Sequence, residues 1–211
     1  MKLIDLTHTI NENMLVYPGT KPPSFLKPVN IENDGYEETI LNMYSHTGTH
    51  IDAPAHMIKS GYTLDEMDIN HFSGKAVIID LRNLNNTTIN LGELIKYEKQ
   101  INMCDFIIFN TGHSKKWGND EYFYGYPVLS DEAARWIAKH HIKGIGIDAI
   151  SIDSITSSKF EIHNIILKNN IISIENLTNL DSITKDVVDF FCLPLKYEKA
   201  DGSPVRAVAI E

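Results

Sequence analysis

Four side chains able to hold a metal ion stand at even positions along one short stretch: His46, His50, Asp52 and His56, in the run His46-Thr47-Gly48-Thr49-His50-Ile51-Asp52-Ala53-Pro54-Ala55-His56. Hydrolytic metal sites need imidazole and carboxylate groups aimed at one point. On an ideal helix, roughly 100° per residue would scatter these four over two sides. On an extended chain every second side chain shares a face, so all four point the same way. Gly48 and Pro54 also disfavour a helix. The spacing therefore predicts a strand end and following loop that present four ligands to one cavity.

A second pair, His163 and Glu175, brackets a short helix expected over 164–168, a turn at Asn169-Asn170 and a strand over Ile171–Glu175. The helix carries the chain out roughly 10 Å at 1.5 Å per residue. The strand brings it back a similar distance at about 3.3 Å per residue. A glutamate closing an apolar strand is costly unless a cation or a basic group meets it. Taken alone, the pair fits a helix-terminal histidine and an ion-paired glutamate equally well. Six candidates exceed the three protein ligands of a catalytic zinc. They suit two cations roughly 3.5–4 Å apart that share a carboxylate, with Asp52 as the expected bridge.

The elements that must position these groups are short. Strands are expected at Lys2–Leu6, Glu38–Tyr44, Ala76–Leu81, Phe106–Phe109, Ile142–Ile147, Ile171–Glu175 and Val205–Ile210, from apolar, β-branched runs. Asn90 with Glu93 resembles a capping box opening a helix over Leu91–Glu98. Ser130 can cap a second helix over 131–138, whose acidic start and Lys139-His140-His141 end suit the macrodipole. Thr20 to Pro28, rich in Pro and Lys, reads as a loop or edge segment bordering the site. Strands mixed with helices give a mixed α/β or α+β class in one domain over residues 1–211.

Composition narrows the functions. A formal net charge of -9 disfavours nucleic acid or an anionic membrane as the main partner. No apolar run approaches the length that spans a bilayer, and Asp5 interrupts any signal-peptide core. Cys104 and Cys192 form no close pair, which suggests a reducing compartment and buried apolar roles. The expectation is a cytoplasmic protein. His8 and His113 read as hydrogen-bonded or outer-shell groups, and His71, His140 and His141 as surface or helix-end residues. Asp148 and Asp153 could orient ligands, but turn formation is the commoner role of such residues. Thr111-Gly112-His113-Ser114 lacks the G-x-S-x-G elbow of a serine hydrolase.

The pattern His-x-Gly-Thr-His-x-Asp-x-Pro-x-His resembles the signature of the cyclase-like metal-dependent hydrolases, a family that includes bacterial kynurenine formamidases and isatin hydrolases. Asp5-Leu6-Thr7-His8, Tyr17-Pro18-Gly19, Trp117-Gly118, Gly146-Ile147-Asp148, Glu175-Asn176-Leu177 and Asp201-Gly202-Ser203-Pro204-Val205-Arg206 are similar to further stretches of that family. The resemblance implies a swivelling β/β/α fold and a homodimer or higher symmetric oligomer. It implies that His46, His50 and Asp52 hold one divalent metal, zinc or manganese. In dinuclear members the positions of Asp52, His56, His163 and Glu175 hold a second; in single-metal members those of His56 and His163 are catalytic or polarise the substrate.

The implied activity is hydrolysis of a small amide, aryl formamide or cyclic amide by water whose pKa a metal lowers to about 7. His56, if free of metal, serves as general base and then acid; otherwise Glu175 moves the proton. Tyr17 is the candidate substrate-binding residue. Formamidases carry Trp-Pro-Gly-Asp where this chain reads Tyr17-Pro18-Gly19-Thr20, a departure that bears on the substrate and not on the ligands. Ester or lactone hydrolysis, ring closure on the same site, and a non-catalytic metal-binding module are the alternatives.

Overall fold

Four apolar runs form the middle of the sheet in the computed structural model, which describes residues 1–211. They are β5 (Ser73–Asp80), β7 (Phe106–Asn110), β9 (Gly144–Ile147) and β10 (Ile172–Glu175), paired in parallel in that order. The last three are buried at every position. Parallel strands covered on both faces read as continuous apolar runs, because neither face meets water. One face packs Val77, Ile107, Ile145 and Ile171 against Ala133, Ile137, Ile162 and Ile166 of the helices α4 (Asp131–Ile137) and α5 (Glu161–Lys168). The other packs Phe106, Ile108, Ile172 and Ile174 with Leu6, Phe190 and Ala207.

Antiparallel strands extend the sheet on both sides. β11 (Val187–Phe191), β13 (Val208–Ile210) and β1 (Leu3–Asp5) follow β5, while β4 (His50–Asp52) and β12 (Gly202–Pro204) follow β10, giving nine strands. The class is mixed α/β. Two small sheets stand apart: β2 (Ser24–Val29) with β3 (Glu38–Asn42), and β6 (Thr88–Ile89) with β8 (Val128–Leu129). The short helix α1 (Ile31–Asp34) lies inside the β2–β3 arm, and every residue of β3 is exposed. No helix is long and apolar enough to cross a membrane.

Several expected boundaries move for local reasons. The helix expected over 164–168 begins at Glu161, because the Asp153 carboxylate accepts from the Ile162 and His163 amides and caps it from outside. The single helix expected over Leu91–Glu98 is two, α2 (Leu91–Ile95) and α3 (Glu98–Ile101), and Asn90 makes no capping bond. Ser130 caps as expected, accepting from the Ala133 amide. Thr20 to Pro28 holds strand β2 from Ser24 onward, and β11 is a strand the apolar-run reading missed.

Candidate metal centre

Strand β4 lies between β10 and β12, and that placement builds the site. Its register sets His50 opposite Glu175 on one side and Asp52 opposite Gly202 on the other. The alternation expected over the whole motif holds only for His50 and Asp52, since β4 has three residues. Gly48, at a φ of 65°, turns the chain just before the strand, and His46 approaches from that loop. Pro54 opens a tight 3-10 turn over Pro54–His56 that carries His56 to the cavity edge. Hydrogen bonds lock the loop to the chain after β10: Thr49 Oγ1 donates to the Asn176 carbonyl at 2.6 Å, and Asn176 Nδ2 donates to the Gly48 carbonyl at 2.9 Å.

The six expected side chains meet at Asp52. Its Oδ1 lies 2.6 Å from His46 Nδ1 and 3.2 Å from His50 Nε2, while its Oδ2 lies 3.5 Å from His163 Nε2. Glu175 spans the second set, with Oε1 at 3.2 Å from His163 Nε2 and Oε2 at 3.7 Å from His50 Nε2. Two compact groups of possible ligand atoms emerge, His46 with Asp52 and His56, and His50 with Asp52 and Glu175. Asp52 belongs to both. His56 sits outermost, its ring centroid 3.9 Å from that of His46.

These residues fit a divalent cation. Asp52 Oδ2 is buried and has no hydrogen-bond partner, a costly arrangement for a carboxylate oxygen that a cation would relieve. Three imidazoles each spend their outer nitrogen on an acceptor: His46 Nε2 on Asp201 Oδ2 at 3.0 Å, His50 Nδ1 on the Gly48 carbonyl at 2.8 Å, and His163 Nδ1 on Asp153 Oδ2 at 2.7 Å. The inner nitrogen of each is thereby turned toward Asp52, the orientation in which outer partners hold metal-binding histidines. Both thiols lie outside the cluster, and burial pushes that of Cys192 up.

Without a metal the cluster holds its charge as imidazolium–carboxylate pairs. Burial opposes protonation of His46, yet its bonds to Asp201 and Asp52 outweigh burial and raise its pKa to about 10. His163 is raised well above its ordinary value by Asp153, Asp52 and Glu175, again against burial. Asp52 is held well below the carboxylate range by His163, His46 and His50 despite complete burial. Burial lowers His56, leaving it neutral at pH 7.

Two carboxylates matter more than their sequence context suggests. Asp153 orients His163 as well as capping its helix, so the turn-forming role expected of it is not its main one. Asp201 was not a candidate; it reaches His46 from 155 residues away, and only the β4–β12 pairing brings it there. The neighbouring Gly202 is equally specific, since a Cβ there would lie 2.7 Å from His46 Nε2. Asp148 accepts from the Thr111 amide and hydroxyl and stays outside the cluster.

The remaining histidines are placed by packing. His8 stacks on Trp117 at 4.0 Å and is pushed down to about 4 by burial, and His113 donates to the Tyr122 carbonyl. His71 is a helix-end residue, in the last turn of the 3-10 helix Ile69–Phe72, half-buried and bonded to the Lys143 carbonyl. A cavity of about 250 Å³ opens onto the cluster, with Leu15, Val16, Tyr17, Tyr44, Met57 and Phe160 as its apolar wall. Tyr17 lines this cavity, the pKa of its hydroxyl raised by burial and by Glu175.

Known proteins share this arrangement of elements. The Cyclase family model matches residues 4–154. Kynurenine formamidase from Bacillus mycoides is 32% identical over 206 residues, covering 97% of this chain and 95% of that protein. The structure of a predicted metal-dependent hydrolase from Bacillus stearothermophilus superposes with a TM-score of 0.82 at 30% identity, covering 99% of this chain and 97% of that one. Isatin hydrolase A from Ralstonia solanacearum shares the fold, with a TM-score of 0.86 at 24% identity over 99% of this chain and 91% of that one. On the matched model and on identity sustained along nearly its whole length, the chain belongs to the cyclase-like metal-dependent hydrolase family.

Proposed function

We propose that this protein is a metal-dependent hydrolase of a small amide, aryl formamide or cyclic amide. The observation that carries the reading is Asp52, a buried carboxylate whose two oxygens face different imidazoles and one of which has no hydrogen-bond partner. We take His46, His50 and Asp52 as the first ligand set and Asp52, His163 and Glu175, joined by His56 in a two-metal centre, as the second, an assignment that cuts across the two compact groups of ligand atoms. Histidine and carboxylate donors without thiolate suit zinc or manganese, one or two per chain. When bound, such a cation polarises a carbonyl and acidifies water to a pKa of about 7.

The chain's own groups do the rest. His56, neutral and at the cavity edge, takes the proton from the attacking water and returns it to the leaving amine. Glu175, held by the Ile152 amide at 3.0 Å, is fixed in place as ligand and second proton acceptor. Tyr17 and the apolar wall bind the substrate's carbon frame and keep bulk water out. His56→Gln is expected to lower kcat about 10²–10⁴-fold with metal content unchanged; metal lost together with turnover would make His56 a ligand.

A panel of aryl formamides, cyclic amides, esters and lactones tests the reaction class. Hydrolysis of a carbon–nitrogen bond is the expected result, and metal-loaded protein inert across the panel overturns the reading. Activity confined to esters or lactones would favour the second reading, in which the same cluster serves another carbonyl. Tyr17 and Thr20 both line the cavity, so the departure from Trp-Pro-Gly-Asp falls where a substrate would lie and counts against N-formylkynurenine itself.

The same reading takes the chain as one domain over residues 1–211, acting in the cytoplasm without nucleic acid or membrane. A homodimer or higher symmetric oligomer is supported by the β2–β3 arm. A two-stranded hairpin is marginal alone, and Leu26, Ile40 and Leu41 on this one are 59%, 51% and 57% exposed. A second copy of the chain is the occupant that would cover them.

A further inference from the structure

Position 160 breaks two local rules at once. Phe160 has φ 48° and ψ 51°, the left-handed region that a bulky side chain seldom enters outside strain. It is also the N-cap of α5, where Ser, Thr, Asp or Asn would bond the first free amides. Phenylalanine supplies no such bond, and Asp153 does so from seven residues upstream. The strained backbone is clamped from both sides. The Phe160 amide donates to Ser157 Oγ at 3.0 Å, and its carbonyl accepts from the Asn164 amide at 3.0 Å and from Asn164 Nδ2 at 2.9 Å. Strain of this kind persists only where surrounding bonds over-determine it, and it gathers at functional sites.

The strain places an aromatic ring. Phe160 lines the cavity, and its ring stands edge-on to His163 at 6.2 Å and 84°. The ring is only half-buried, so it contributes less to the core than its size allows. We infer that Phe160 is a specificity-determining residue, held in a strained backbone so that its ring forms the wall against which a planar aromatic substrate lies beside His163. The inference rests on the hydrolase reading above for its substrate, but the strain and the binding wall are testable without turnover. Aromatic rings prefer offset or edge-to-face contacts that add to simple burial, which a saturated substrate would not gain.

Two variants separate the ring from the strain. Phe160→Ala removes the ring and keeps a Cβ in the left-handed region; Phe160→Gly removes both. In urea denaturation of the metal-free proteins, Phe160→Gly is expected to have the higher midpoint. In metal-loaded protein, both variants should bind benzoate about tenfold more weakly than the wild type, with acetate binding unchanged. If the hydrolase reading also holds, both should raise KM for an aryl formamide about tenfold, with kcat changed far less, and raise KM for an alkyl formamide several-fold less than for the aryl one. An Ala midpoint at or above that of Gly overturns the strain argument. Equal benzoate affinity in wild type and variants, or no benzoate binding by the wild type, overturns the wall. Wild type that binds benzoate through Phe160 yet hydrolyses no amide would sink the hydrolase reading and leave this one standing.

Discussion

Asp52→Ala protein is expected to lose its divalent metal and its turnover together. His46 and His50 meet one oxygen of this carboxylate and His163 faces the other, so no ligand set survives its removal. A cation supplies several kcal/mol of stabilisation to the reacting carbonyl, and about 1.4 kcal/mol is a factor of ten in rate. Turnover should therefore fall about 10³-fold or more. The fold should persist, because His46 keeps Asp201 and His163 keeps Asp153 as charge partners. Metal content by mass spectrometry, alongside circular dichroism, checks this. A folded Asp52→Ala protein that retains its metal would show that Asp52 is not shared.

Metal affinity is expected to climb steeply with pH through neutrality. In the metal-free cluster His46 has its pKa raised to about 10, with Nδ1 toward Asp52 and Nε2 toward Asp201. A metal that takes Nδ1 must displace a proton. Below a pKa of about 10 each pH unit gained removes competition worth up to a factor of ten, and the raised His163 sets the same limit for an ion in the second ligand set. Asp52 is ionised throughout this window and contributes no slope. The sign for folding of the metal-free protein is the reverse. His46, raised above its unfolded value near 6.5, stabilises the fold fully below that value and loses the contribution as pH rises through about 10. Competitive metal titrations between about pH 6 and 8.5 should show affinity gaining up to about tenfold per unit. A flat profile would mean that His46 is already neutral before the metal arrives.

What the sequence disclosed was local, and what it withheld was long-range. His50 and Asp52 share a face because a strand alternates, so that part of the motif was legible from spacing. His46 and His56 reach the cavity for a reason that spacing did not supply, since a left-handed glycine turn and a 3-10 turn deliver them. The buried central strands announced themselves as unbroken apolar runs. Strand β11 did not, because Asp189 interrupts it where the sheet turns one face to water. Asp201 and Asp153 carry no local signature of their task. Each lies in an ordinary polar loop and acquires its role through a contact that β4–β12 pairing or the start of α5 creates. Phe160 was hidden for the opposite reason: local rules argue against its conformation, and only bonds from Ser157 and Asn164 sustain it.

The central claim is that imidazoles and acids from β4, its flanking loops, α5 and β10 hold a divalent cation on which hydrolysis depends. Elemental analysis of freshly purified protein, repeated with activity assays after chelation and after return of the ion, tests it most directly. The expected result is one or two zinc or manganese ions per chain, activity lost with the metal and regained on its return. Protein that carries no divalent ion and hydrolyses its substrate undiminished in the presence of chelator would contradict the account.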